Sequence, residues 1–291
     1  MKVKSLLAFG YLLCAIECRS QEYDSATVAE EKKLPYKVLH AEPLYIDLIR
    51  DLGAHKGEKE WNLGFGMKDK LRFDQYEALI EYEWAPANRL GLEVEVPVTF
   101  YMRAPNGLNA EKPSHRIESI KTAAQWTFLV SRKFQTSLAL GYLNEIEFTD
   151  LNRISTKDVF QGNLFNPFFI VAKRWGDWHT LVYTGPKVHF HFENQHWSTE
   201  YDINSNIHYM IPGTRNFIGI EFNKMFGHEG LFEMVIRPQM RVVIHDALMI
   251  GIVQGIPVSK ERERLSSFLR LIYEPQHTLR AKNRHLSRGH N

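Results

Sequence analysis

The chain has 291 residues, 36 Lys+Arg against 34 Asp+Glu, and is 44% hydrophobic and 12% aromatic. Near-balanced charge with this much apolar material excludes a disordered chain and a dedicated nucleic-acid binder. A mean hydropathy of -0.32 excludes a protein of several membrane-spanning helices.

The N-terminus opens on Lys2 and Lys4, an apolar run over Leu6–Ile16, and Cys18-Arg19-Ser20. This pattern predicts a secretion signal over 1–20, cleaved after Ser20, because the apolar run is too short to cross a bilayer. Both cysteines, Cys14 and Cys18, fall inside it. The mature chain is therefore expected to hold no disulfide, thiolate metal site or cysteine nucleophile.

Residues 21–60 form an N-terminal segment. Gln21–Lys33 is polar and acidic and is read as mobile. From His40 to Gly53 the pattern changes: Tyr45, Leu48, Ile49 and Leu52 share one helical face, Pro43 suits a first turn and Gly53 a C-cap. An amphipathic helix is expected over 43–52. Such a helix packs on the rim of the next domain, plugs it, or meets a partner; rim packing is what an apolar stripe ordinarily does.

From Trp61 the pattern has period two. Tyr76, Ala78, Ile80, Tyr82 and Trp84 alternate with Glu77, Leu79, Glu81 and Glu83, and the runs Leu90–Tyr101 and Tyr201–Ile211 behave alike. This is the signature of strands with one apolar and one polar face. Twelve segments begin near Trp61, Asp74, Leu90, Glu118, Gln135, Leu164, His179, Ser198, Asn216, Phe232, Ala247 and Arg264, although those at 164–175 and 247–257 alternate poorly. Most are long for strands of a soluble fold and suit a tilted crossing of a bilayer.

The connections alternate in length. Ala85–Arg89, Arg132–Phe134, Gly176–Trp178, Pro212–Arg215 and His245–Asp246 are tight, whereas Arg103–Ile117, Asp150–Asn163, Glu193–Trp197, Met225–Leu231 and Pro257–Glu263 are mostly longer and polar. Short turns on one side and long loops on the other are the habit of outer-membrane barrels. Trp61, Trp84, Trp175, Trp178, Tyr209 and Tyr273 fall at the short-turn ends, and Phe100, Tyr101, Phe148 and Phe192 toward the opposite ends, as two interfacial belts would require. The expected fold is all-β: a transmembrane antiparallel up-and-down β-barrel over 61–273 with a short N-terminal helix, and a basic tail over 274–291 that carries Arg280, Lys282, Arg284, His285 and Arg288.

With the apolar face on lipid, the polar face lines the lumen. That set contains Glu77, Glu81, Glu83, Glu93, Glu95, Glu145 and Glu147, then Lys121, Lys187, Arg237, Arg241 and Arg270, with His189 and His191. Facing acidic and basic walls either make a narrow polar pore or pair across it and close it. His189 and His191 stand two apart on one strand face near His196, which is legal metal geometry, but such spacings are common among 13 histidines, and no metal or cofactor is predicted.

The run His40–Met67, HAEPLYIDLIRDLGAHKGEKEWNLGFGM, and the closing Phe268–Pro275, FLRLIYEP, resemble a family of bacterial outer-membrane β-barrel proteins. The resemblance covers Leu39–Pro275 and implies an outer-membrane barrel with no assigned substrate or catalytic residue. Members are sometimes named for a purine-biosynthesis synthase; that enzyme needs a glutaminase cysteine, which the expected mature chain lacks.

The expected function is a passive channel or transport component for small polar solutes in the bacterial outer membrane, both termini periplasmic. Its partners would be outer-membrane lipids, the barrel-assembly machinery and a periplasmic partner at the N-terminal helix or basic tail. The alternatives are a closed scaffold barrel and an outer-membrane hydrolase. No G-x-S-x-G elbow is present, and the acid–histidine candidates are Asp202 with His208, or Asp150 and Asp158, so no catalytic residue is assigned.

Overall fold

The computed structural model describes residues 34–46, 48–103, 112–150, 159–259 and 263–275. The expected signal over 1–20, the acidic stretch Gln21–Lys33, Asp158 and the basic residues of the tail lie outside the described residues.

Twelve long strands follow one another: β1 (Lys59–Asp69), β2 (Phe73–Ala87), β3 (Leu90–Arg103), β4 (Ser119–Ser131), β5 (Thr136–Phe148), β6 (Phe160–Trp175), β7 (Trp178–His191), β8 (His196–Met210), β9 (Phe217–Phe226), β10 (Phe232–His245), β11 (Leu248–Pro257) and β12 (Ser266–Tyr273). Each pairs antiparallel with its neighbours in the chain, from Lys59↔Trp84 between β1 and β2 onward. Strands β1 and β12 pair from Trp61↔Tyr273 to Lys68↔Ser266, so the sheet closes on itself. Closure leaves no row of unpaired backbone groups, the condition for a sheet in hydrocarbon. Arg116–Ile117 adds a two-residue pairing to Val98 and Thr99 ahead of β4, and a 3-10 turn, His228–Gly230, sits between β9 and β10.

The period-two pattern resolves into an outer and an inner face. Ile80, Ile207 and Ile252 point outward, 42–48% exposed, while Glu81 and Asn206 point inward, no more than 5% exposed. The tight turns gather at one end of the barrel and the long loops at the other. Turn residues with positive φ, Arg89, Gln135, Gly176 and Gly213, mark four of the tight turns. Two connections at the long-loop end, Lys70–Arg72 and Phe192–Gln195, are themselves tight, with Leu71 at φ 70° and Gln195 at φ 50°.

Aromatic side chains ring both ends. At the short-turn end Trp61, Trp126, Trp175, Trp178 and Tyr273 are exposed, and Trp61 stacks near Tyr82, which lies parallel to Trp84. At the long-loop end Phe148 meets Phe160, Phe190 meets Trp197 and Phe226 meets Phe232. Tyr101 is a correction to the expected belt: it is 5% exposed and turned inward against Phe73. Adjacent strand residues face opposite sides, so Phe100 and Tyr101 cannot both meet lipid.

Among the described residues of 43–52 no helix forms. Residues 36–46 and 48–58 instead enter the lumen as an irregular segment. A helix would satisfy the backbone N–H groups internally. Here barrel side chains do so: Ala41 N–H donates to His179 Nδ1 at 2.8 Å, Leu44 N–H to Gln239 Oε1 at 2.8 Å, Arg50 N–H to Glu83 Oε2 at 2.6 Å and Gly53 N–H to Thr127 Oγ1 at 2.9 Å. Positive φ at Arg50 (64°) and Gly53 (87°) turns the chain back toward β1. The residues that read as one helical face are the ones that pack against the inner wall.

Candidate functional site

The lumen has two halves. The half at the short-turn end is filled by the segment 36–58. Tyr36 enters beside the β4–β5 turn, where Arg132 lies 4.3 Å over its ring and Gln135 Nε2 donates to its hydroxyl. Ile46, Leu48, Ile49 and Leu52 pack with Ala123, Leu143, Leu164, Phe168, Ile170 and Leu181 on β4–β7. Ala41 and Leu44 pack with Phe217, Met249, Val253 and Ile272 on β9, β11 and β12. Burial of a Leu or Ile side chain contributes about 1.5–3 kcal/mol, so this packing is the main adhesive.

Polar contacts set the register. Arg50, 2% exposed, places Nη1 2.5 Å from Glu60 and 3.7 Å from Glu83, and Nη2 3.9 Å from Glu58, Asp51 and Glu274. Burial alone would lower the basicity of Arg50, but Glu60, Asp51 and Glu83 outweigh it and hold the guanidinium charged. Lys37 pairs with Asp51 and lies 3.3 Å from Glu58. Burial pulls the Asp51 carboxyl up, yet Lys37, a hydrogen bond with Glu42, and Arg50 hold it well below the usual carboxylate range. Burial followed by the Asp51 charge drives Glu42 the other way, well above that range. The two neighbouring acids are thus driven in opposite directions.

The wall that receives Arg50 is acidic. Glu60, Glu81, Glu83, Glu93 and Glu95 are all at most 7% exposed, and ligand-type oxygens of Glu81, Glu93 and Glu95 lie within 4.8 Å of one another. Asn62 Nδ2 donates to Glu60, Glu81 and Glu83 at 2.6–3.0 Å. Arg270 reaches Glu81 at 3.1 Å and Lys121 reaches Glu95 at 2.6 Å. Across the lumen Arg237 lies 3.4 Å over the Tyr45 ring, and Arg241 4.7 Å over Phe217 and 3.9 Å from Glu42.

The other half is a cavity of about 650 Å³ toward the long-loop end. Tyr45 and Ile46 of the segment line it together with wall residues from most of the strands. Of the sequence-predicted lumen residues, Glu77, Glu95, Lys121, Glu145, Lys187 and Arg270 line this cavity. Its charges are paired along the wall: Lys68 with Glu77 at 2.5 Å, Lys121 with Glu95, and Lys187 with Asp202 at 2.6 Å. Glu81 and Glu93 lie lower, beside the segment. His189 and His191 stack at 5.9 Å on β7 outside the cavity lining, His189 3.5 Å from Glu147 and His191 against Ser198.

The acid–histidine pair considered from sequence does not come together. Asp202 is held by Lys187, and His208 lies 4.6 Å from the Phe217 ring, six residues along β8, roughly 20 Å at strand rise. Sequence reasoning missed Arg50, Tyr45, Glu60 and Asn62. Glu60 and Asn62 had a signal: they continue the polar face of β1 with Gly64 and Gly66.

The barrel is similar to solved outer-membrane proteins. An outer-membrane channel from Pseudomonas putida F1 superposes with a TM-score of 0.63 at 10% identity, over 79% of this chain and 99% of that one. The KdgM porin (TM-score 0.51, 13% identity) and the NanC porin (TM-score 0.51, 7% identity) each cover 74% of this chain and 98% of their own. At these identities the likeness concerns the fold. No protein of curated function matches the sequence. The HAEPLYID-like family matches residues 36–274.

Proposed function

The chain belongs to the HAEPLYID-like family, and we propose that it is an outer-membrane channel for small polar solutes. The observation that carries this reading is the width of the lumen. It admits a stretch of the chain itself in one half and leaves a polar cavity of about 650 Å³ in the other. A barrel built only as a scaffold needs no such space and can fill its interior with wall side chains. The outward apolar face and the two aromatic rings support a seat in the outer membrane. The short turns and both termini then belong to the periplasm and the long loops to the outside. Lipids and the barrel-assembly machinery are its partners in that setting.

The second reading, a closed scaffold, draws on the filled short-turn half. Reconstitution separates the two. A channel gives voltage-driven current steps in planar bilayers and lets small sugars swell liposomes faster than large ones. A barrel silent at every voltage, with no swelling, is a scaffold.

A further inference from the structure

We propose that residues 36–58 are a gate: the segment shuts the short-turn half of the lumen and opens it by withdrawing, with Arg50 as its latch. The inference rests on the channel reading and adds how that channel is regulated.

Four observations support it. The first is topological. Tyr36 lies at the short-turn end beside Arg132 and Gln135, and β1 starts at Lys59 at the same end. The segment is therefore a loop inserted from one mouth, and it can leave without threading or opening the barrel. The second is that the barrel closes without it. β1 pairs with both β2 and β12, and around Ala41–Gly53 the segment is tied by single hydrogen bonds to side chains rather than by a ladder. Backbone bonds linking Ala54, Gly57 and Glu58 to Ala85 and Arg89 anchor only its return to β1, so the part that withdraws ends at Gly53.

The third is that the wall is cut to receive it. A side chain at Gly91 would run into the Ile49 carbonyl, and one at Gly251 would come within 2.6 Å of Leu44. The fourth is the latch. Arg50 sits among carboxylates on β1, β2 and the segment itself, at 2.5–3.9 Å, and among the described residues of the segment it is the cation that reaches Glu60 and Glu83 at such distances. Once the segment withdraws, the cavity that Tyr45 and Ile46 now line runs through to the short-turn mouth. The acidic wall that Arg50 covered then faces the solute path and favours cations.

The test uses purified full-length protein with Cys14 and Cys18 absent or replaced, and Leu48→Cys as reporter, since Leu48 is 6% exposed. Arg50→Ala removes the latch, and Gly251→Leu wedges the segment at the Leu44 side chain, away from Arg50. Single-channel current and labelling by a membrane-impermeant maleimide are read on the same preparations, each shown folded by heat-modifiable migration. The expected result is that both variants raise labelling rate and open probability together, by about tenfold or more, and that the opened pore passes K⁺ in preference to Cl⁻. Equal, open currents in the parent and both variants overturn the gate and leave the channel standing. Faster labelling with no current overturns the gate and the channel together. Unchanged labelling in both variants overturns the latch and the wedge.

Discussion

Arg50 Nη1 and Glu60 Oε2 lie 2.5 Å apart inside the barrel, with side chains 1% and 10% exposed. One belongs to the lumen segment and the other to β1, so the contact joins the part that fills the lumen to the wall around it. A buried pair gains little over an apolar pair, but removing one partner is costly because the other stays desolvated.

Arg50→Ala is therefore expected to cost roughly 3–5 kcal/mol of segment docking. Glu60→Gln costs less, because Arg50 keeps Glu83, Glu58 and Asp51 within 3.9 Å. Urea dependence of maleimide labelling at Leu48→Cys reads both. A Glu60→Gln variant as loose as Arg50→Ala would show that the remaining carboxylates do not hold the guanidinium.

Asn62 is a neutral group that donates to three of the clustered acids, Glu60, Glu81 and Glu83. Asn62→Asp keeps the shape and replaces the donor with a further buried acceptor. The penalty of an unpaired buried charge is several kcal/mol. The variant should lose its heat-modifiable band at neutral pH at a lower temperature than the parent, with recovery on acidification as carboxylates take up protons. No change in melting at neutral pH would mean that the cluster is already protonated around Asn62.

The strands were legible wherever the inner face meets solvent or charge, as in β2 and β8, because water-facing and lipid-facing residues differ in polarity. They were poorly legible in β6 and β11, and the structure gives the reason. The inner faces there carry Leu164, Phe168, Ile170 and Ala172, and Met249 and Val253, which pack against the lumen segment. A third apolar environment inside the barrel erases the alternation. The same packing explains the helix that did not form. Tyr45, Leu48, Ile49 and Leu52 carry a helical spacing, but their surroundings are a concave wall with its own hydrogen-bond acceptors. Spacing alone cannot tell a helix face from an irregular loop pinned by His179, Gln239, Glu83 and Thr127. Arg50 was hidden for a related reason: in the helical reading it falls on the solvent face.

Docking of the segment should weaken in acid. Burial, followed by the charge of His179, lowers the His40 imidazole from its ordinary 6.5 to about 3. The folded value lies below the unfolded one, so the docked state is fully favoured above pH 6.5 and loses ground as pH falls toward 3. The charges around His40 are Arg174 and Lys37, which oppose its protonation, and Asp51, which favours it. The Asp51 carboxyl contributes in the same direction only below its ordinary 3.8. Labelling at Leu48→Cys, taken relative to a fully exposed cysteine at the same pH because only the thiolate reacts, should therefore rise below about pH 6.5 in the parent and rise less in His40→Gln. A parent profile flat from pH 7 to pH 4 would rule out His40 as a group that must stay neutral.

The lipid-facing assignment can be tested on one strand. On β11 Gly251 points inward, against Leu44, and Ile252 points outward, 48% exposed, paired with Met240 on one side and Leu269 on the other. Both neighbours are themselves exposed and apolar, at 40% and 37%. In water an Ile→Arg change at so exposed a site would be close to neutral. In hydrocarbon the same guanidinium costs about 2–4 kcal/mol near the bilayer midplane. Ile252→Arg should thus lower the stability of the barrel in lipid vesicles by that amount, measured by urea titration of tryptophan fluorescence. Ile244→Arg, at the short-turn end of β10 and 57% exposed, should cost about 1 kcal/mol or less, because a long side chain there reaches the interface. Equal and small costs at the two positions would mean that the outward face of β10 and β11 meets water, and the membrane seat of the barrel would fail with it.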